Sequence, residues 1–136
     1  VPRQVKSIDR VGERPTVFHV TLPINLTNRN DGQGHSWHRT AAEKKRIGAA
    51  LNHLKREPFG YRVDLVITRI LGKGQRLFDP DSIGRGNAKQ LIDTLTQLGW
   101  WHDDSAKWIR HVDYRQDDTQ RGTGPCVLIE IERVDE

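Results

Sequence analysis

Hydrophobic and polar positions follow two periods along this chain. The stretch TVFHVTLPI, residues 16–24, is rich in β-branched and aromatic residues and is ended by Pro23, which predicts a first strand. The longer run YRVDLVITRIL, residues 61–71, predicts a second strand with Val63, Leu65 and Ile67 on one face, stopped by the glycines and charges of GKGQR. Two further strands are expected around KWIRHVDYR, residues 107–115, and CVLIEIE, residues 126–132, joined by the polar turn DDTQRGTG.

Between the strands the period lengthens. Over residues 40–55 the apolar positions Ile47, Ala50, Leu51 and Leu54 recur at i, i+3, i+4 and i+7, one stripe of an amphipathic helix. Lys44, Lys45, Arg46 and Lys55 occupy its other faces, either as a solvated surface or as contacts to phosphate. A second helix is predicted over residues 87–98, with Asn87 as N-cap, Ala88, Leu91, Ile92, Leu95 and Leu98 as the buried stripe, and Gly99 as terminator. Lys89, Asp93 and Thr96 share another of its faces, where Lys89 and Asp93 are spaced to pair at i, i+4. The order β, α, β, α, β, β predicts an α+β domain, with two helices packed on a mixed sheet of about four strands.

A chain of 136 residues is the size of one domain. Residues 1–14 are polar and aperiodic and read as a flexible N-terminal arm, leaving residues 15–136 as the folded unit. No apolar run approaches a membrane span and VPRQVKSIDR lacks a signal-peptide core, so a cytoplasmic protein with no membrane partner is expected. The lone Cys126 sits in the apolar run CVLIEI and reads as a small buried strand residue rather than a catalytic thiol.

Charge is unevenly spread. Residues 1–62 carry 12 Lys/Arg against 5 Asp/Glu, and residues 63–136 carry 10 against 13, so a +7 part precedes a −3 part. A basic surface attracts phosphate backbones, whereas an acidic cluster repels them unless it holds a cation.

Two acidic clusters bracket the second helix: Asp79-Pro80-Asp81 before it and Asp103-Asp104 after it. Pro80 biases Asp79 toward an extended conformation, in which residues two apart point to the same side. Asp79 and Asp81, with a third carboxylate from the later pair, would suit Mg²⁺, which takes oxygen ligands and leaves room for water and phosphate. The same residues are also good turn chemistry, and spacing alone leaves both readings open. An EF-hand is excluded, because Ile83 holds position 5 and Gln90 replaces the bidentate glutamate at position 12. Gly72-Lys73-Gly74 and Gly84-Arg85-Gly86 lack the Gly-Lys-Ser/Thr of a P-loop, so no nucleotide cofactor is expected. His35 and His38 have no cysteine partners for zinc, and His102 beside Asp103 is either a surface residue or a proton shuttle.

The ordered series Asp79-x-Asp81, Lys89, Asp93-Thr-Leu95, Gly99-Trp-Trp101-His-Asp103-Asp104-Ser105 resembles the RusA family of Holliday-junction resolvases. The resemblance is strong over residues 78–109 and thinner elsewhere. It implies a homodimeric nuclease that binds four-way DNA junctions and nicks them in pairs using Mg²⁺ or Mn²⁺, in recombination, repair or phage DNA processing. It also implies that Asp79, Asp81 and Asp104 hold the metal, with Lys89 at the scissile phosphate and Asp103 and Ser82 in auxiliary roles. Lys44, Lys45, Arg46 and Arg85 are the candidate DNA contacts.

The chain departs from the family pattern at two places: Ser82 stands where the family has asparagine, and an inserted segment, residues 84–87, lengthens the loop before the helix. A junction-binding protein with little or no turnover, or a nuclease for other branched DNA, are the alternatives. Trp100, Trp101 and Trp108 surround the acidic turn and are expected in the core or an interface, or else as stacking surfaces for unpaired bases.

Overall fold

The strands Thr16–Leu22 (β1), Val63–Ile70 (β2), Ile109–Asp117 (β3) and Cys126–Arg133 (β4) form one mixed sheet in the order β1-β4-β2-β3. A computed structural model of the chain describes residues 16–27, 37–79 and 87–134. The expected arm, residues 1–14, lies outside the described residues. β4 runs antiparallel to both β1 and β2, and β2 runs parallel to β3. Parallel neighbours need a crossover, and the helix Ala88–Gln97 (α2) supplies it between β2 and β3. The helix Trp37–Leu51 (α1) lies between β1 and β2 in the chain and packs against α2. The predicted order and α+β class are those observed.

β2 reads as a nearly continuous apolar run because it is central, buried on both faces. On one face Leu65 is paired with Ile131 and Val112, and Ile67 with Ile129 and Tyr114. These residues join Ile47 and Leu51 of α1 and Ala88, Leu91 and Leu95 of α2 in the main core. Full burial of each such aliphatic side chain is worth about 1.5–3 kcal/mol as an upper bound. The alternate residues Asp64, Val66 and Ile70 point to the other face and are also buried. β3 is an edge strand and carries His111, Asp113, Arg115 and Asp117 on that second face, charges of the kind that discourage edge pairing.

Helix boundaries differ modestly from the periodic pattern. α1 begins at Trp37, three residues before the predicted start, because the apolar stripe speaks only for the turns that meet the core. It ends at Leu51, and the predicted last turn tightens into a 3₁₀ turn, Asn52–Leu54. Asn87 occupies the N-cap position of α2 without capping it. Its side chain instead accepts from the Thr27 N–H at 2.8 Å and donates to the Asn25 carbonyl at 3.1 Å, stapling the helix to the segment after β1.

Gly99 ends α2 as predicted, at φ +91°. The Trp100 N–H reaches back to Leu95 and the Gly99 N–H to Thr96, the paired bonds of a Schellman terminus. A side chain here would also strike the Arg56 carbonyl at 2.5 Å. Among the described residues no helix is long and apolar enough to cross a membrane.

Candidate functional site

The segment leading to Asp79 is held from three sides. Arg121, in the β3–β4 turn, donates to the carbonyls of Gly72 and Gln75 at 2.8 Å each. Gln75 accepts from the Gly72 N–H and donates to Asn25. Gln116 of β3 then brackets Phe78, its Oε1 accepting from the Phe78 N–H at 2.8 Å and its amide donating to the Phe78 carbonyl at 2.9 Å. Arg69 donates to Gln116 and to the Arg76 carbonyl, and its guanidinium lies 3.6 Å from the centre of the Phe78 ring. Asp79, exposed, follows directly on this anchored residue. Arg69, Gln116 and Arg121 belong to none of the sequence motifs; an arginine and a glutamine inside strands are the signals that could have found the first two.

The second acidic cluster is anchored through aromatic residues. Trp100 is fully buried, donates its indole N–H to the Leu54 carbonyl at 2.9 Å, and meets Phe18 and Phe59 edge-on. Trp101 is 2% exposed and donates to the Thr96 hydroxyl. Both tryptophans belong to the core, as one of the two expectations held. Trp108 is half-buried, with the His102 ring 4.5 Å from its own and the Lys107 ammonium 5.5 Å from its centre.

Within this turn the two aspartates do different work. Asp103 accepts from the Ser105 N–H at 2.8 Å, and the Ser105 carbonyl accepts from Trp108 and Ile109, so Asp103 closes the turn that starts β3. The Ser105 hydroxyl and N–H hold the Asp103 carboxyl below the usual carboxylate range, helped by Lys107 and His102. Asp104 is exposed and, among the described residues, its side chain is engaged in no hydrogen bond or ion pair.

Asp79 and Asp104 are thus anchored at opposite ends of β3, one through Gln116 and the other through Ile109. Those two anchors stand roughly 23 Å apart along the strand at about 3.3 Å per residue. Asp81, Ser82 and Arg85 lie outside the described residues. Among the described residues no group of three His, Cys, Asp or Glu side chains is close enough to share a metal ion.

Lys89 projects from the first turn of α2 with 72% of its side chain exposed, and its ammonium is 3.8 Å from the Asp93 carboxylate, the expected i, i+4 pair. Such an exposed pair contributes only a few tenths of a kcal/mol, about 0.3–0.5. Lys45 and Arg46 are exposed on α1 and Lys44 is partly buried beside α2.

Two groups outside the acidic turns complete the electrostatic picture. Asp64 is fully buried in β2 and gripped by Arg110 at 3.1 and 2.7 Å. Cys126 is buried in β4, and burial raises its thiol above the ordinary range, as suits a packing residue. A scan against protein-family models matches none, and no curated protein matches the chain.

Proposed function

We propose that the chain is a metal-dependent endodeoxyribonuclease of the RusA type, acting as a homodimer on four-way or otherwise branched DNA. The observation that carries this reading is the arrangement of the ordered series about one helix. Asp79 follows an anchored strand exit before α2, Lys89 stands exposed on its first turn, and Asp104 is exposed beyond its end.

The donor chemistry fits Mg²⁺ or Mn²⁺, since the Asp79 and Asp104 carboxylates are oxygen donors in contact with solvent. Asp79 would hold the ion together with Asp81, and Asp104, whose anchor stands roughly 23 Å from that of Asp79 along β3, would complete such a site as the carboxylate of the second copy in the homodimer. A cation bound there supplies activation of water and charge neutralisation at the scissile phosphate. Asp103, by closing the Ser105 turn, orients the backbone that presents Asp104.

Lys89 would bind a nonbridging phosphate oxygen. A lysine in the first turn opposes the helix macrodipole, and its pairing with Asp93 is in the less favourable order, so local stability gives little reason for a cation there. Phosphate binding does.

The direct test is incubation of the protein with a labelled four-way junction in Mg²⁺ or Mn²⁺. Paired nicks are expected, and Asp81→Asn and Asp104→Asn should abolish them while leaving junction binding intact. Absence of cleavage in both metals, or undiminished cleavage by Asp81→Asn, would sink the mechanism. A second reading, a junction-binding protein with little turnover, draws support from the engagement of Lys89 by Asp93. Tight metal-free binding without nicking would favour it.

A further inference from the structure

Between α1 and α2 lies an open groove of about 460 Å³, within the roughly 300–1,000 Å³ typical of ligand sites. Lys44, Lys45 and Gly48 line it from α1, Asn52 from the 3₁₀ turn, and Gln97 and Leu98 from the end of α2. Lys44, Lys45, Asn52 and Gln97 thus bring two ammonium-bearing and two amide-bearing side chains to a mainly apolar cleft that also takes in Thr94 and Leu98, the latter 8% exposed. Donors of this kind suit an anion with an apolar body beside it, which is the chemistry of a sugar-phosphate strand.

Gly48 gives the second observation. Glycine is the poorest helix former after proline, and it is tolerated where a positive φ or a close approach demands it. Gly48 lies within α1, is not among the glycines of positive φ, and an added Cβ would meet nothing within 4 Å. Neither backbone conformation nor packing within the described residues calls for glycine there. What its missing side chain does is keep the groove open down to the helix backbone.

We infer that this interhelical groove seats one sugar-phosphate strand of the DNA substrate, with Lys44 and Lys45 on its phosphates and Gly48 allowing the backbone of the strand to approach α1. The inference rests on the nuclease reading and adds to it a strand-binding surface separate from the acidic turns. Gln97 and Leu98 immediately precede Gly99, so the groove ends where the chain turns toward Asp103 and Asp104.

The test is fluorescence anisotropy of a labelled four-way junction in EDTA at several salt concentrations, with cleavage in Mg²⁺ assayed separately on the unaltered protein. Gly48→Trp fills the groove and is expected to weaken binding at least tenfold, whereas Gly48→Ala, whose methyl meets no protein atom but intrudes on the close approach to α1, should weaken it by a smaller step of about two- to fivefold. Should Gly48→Trp perturb folding by circular dichroism, Gln97→Cys labelled after folding with a bulky maleimide provides the same block, because Cys126 is buried and spared. The Lys44→Ala/Lys45→Ala double variant should lower the slope of log affinity against log salt by about two, one for each ammonium withdrawn from a phosphate.

Equal binding by both groove-blocked proteins overturns the inference, as does an unchanged salt slope in the lysine variant, which would point to a protein segment as the occupant. Loss of binding in the lysine variant alone also overturns it, leaving Lys44 and Lys45 as phosphate contacts on an open basic face outside the groove. If the unaltered protein binds the junction but never cuts it, catalysis fails and the groove stands. If it cuts while the blocked proteins bind normally, the groove fails and the nuclease reading stands.

Discussion

Arg110 holds the buried carboxylate of Asp64 with two hydrogen bonds, its Nε to Oδ1 at 3.1 Å and its terminal nitrogen to Oδ2 at 2.7 Å. The register between β2 and β3 shifts between Val63 and Asp64, pairing Val63 with Ile109 and Asp64 with His111, so Arg110 is the extra residue of a bulge. Asp64 is also paired across β4 with Glu132, itself 3% exposed, so the arginine sits where two acidic residues neighbour each other. Removing Arg110 leaves a carboxylate buried without its cation. Arg110→Ala is therefore expected to destabilise the fold by about 3–5 kcal/mol, measured as a lowered midpoint in urea. A change within about 0.5 kcal/mol would show the pair to be energetically neutral.

Gly99 should resist substitution for two independent reasons. Its φ of +91° is strained for any residue with a Cβ, and that Cβ would lie 2.5 Å from the Arg56 carbonyl oxygen. Gly99→Ala is expected to cost more than about 1 kcal/mol, and to disturb the turn that leads to Asp103 and Asp104. Thermal unfolding together with indole fluorescence from Trp100 and Trp101 would register both effects.

Asp103 and Asp117 should remain ionised at pH values where ordinary carboxylates begin to protonate. For Asp103 the cause is the Ser105 hydroxyl and N–H; for Asp117 it is the Thr119 hydroxyl and N–H, followed by Gln120. Because both folded values are depressed, their contribution to stability is fully present above the unfolded pKa. It is lost as the pH falls through the lower folded value. Carboxyl NMR titration of the Ser105→Ala variant should show the Asp103 midpoint moving up toward the usual range, with that of Asp117 unchanged.

On the proposed nuclease reading, Lys89 would separate catalysis from stability. Since the Lys89–Asp93 contact is 3.8 Å and largely solvated, Lys89→Ala should shift unfolding by no more than about 0.5 kcal/mol. Junction cleavage should fall at least a hundredfold, with binding reduced far less. Equal loss of binding and turnover would make Lys89 a general electrostatic contact instead.

Asn87 offers a check on how α2 is fixed to the sheet. Its side chain bridges to Thr27 and Asn25 rather than capping its own helix. Asn87→Ala should cost roughly 1–3 kcal/mol through unpaired partly buried backbone groups. Asn87→Ser, which would restore a helix cap, should not recover that loss in thermal unfolding.

The elements of this protein are legible in its sequence because they follow from local periodicity. The stripe of Ile47 and Leu51, that of Leu91 and Leu95, and the alternation of Val63, Leu65 and Ile67 each state which side must leave water. Gly99 declares a helix end through its own backbone freedom, and the two acidic clusters are visible as letters. None of these signals reports on which residues distant in the chain become neighbours. Only the tertiary structure reveals that Asp64 within an apolar strand is matched by Arg110, and that Gln116 and Arg69 anchor Phe78 beside Asp79. It likewise divides Asp103, which closes a turn, from the exposed Asp104. Such pairings depend on strand register and on a bulge, which arise when the sheet assembles, and a period of two or of 3.6 residues carries no information about either.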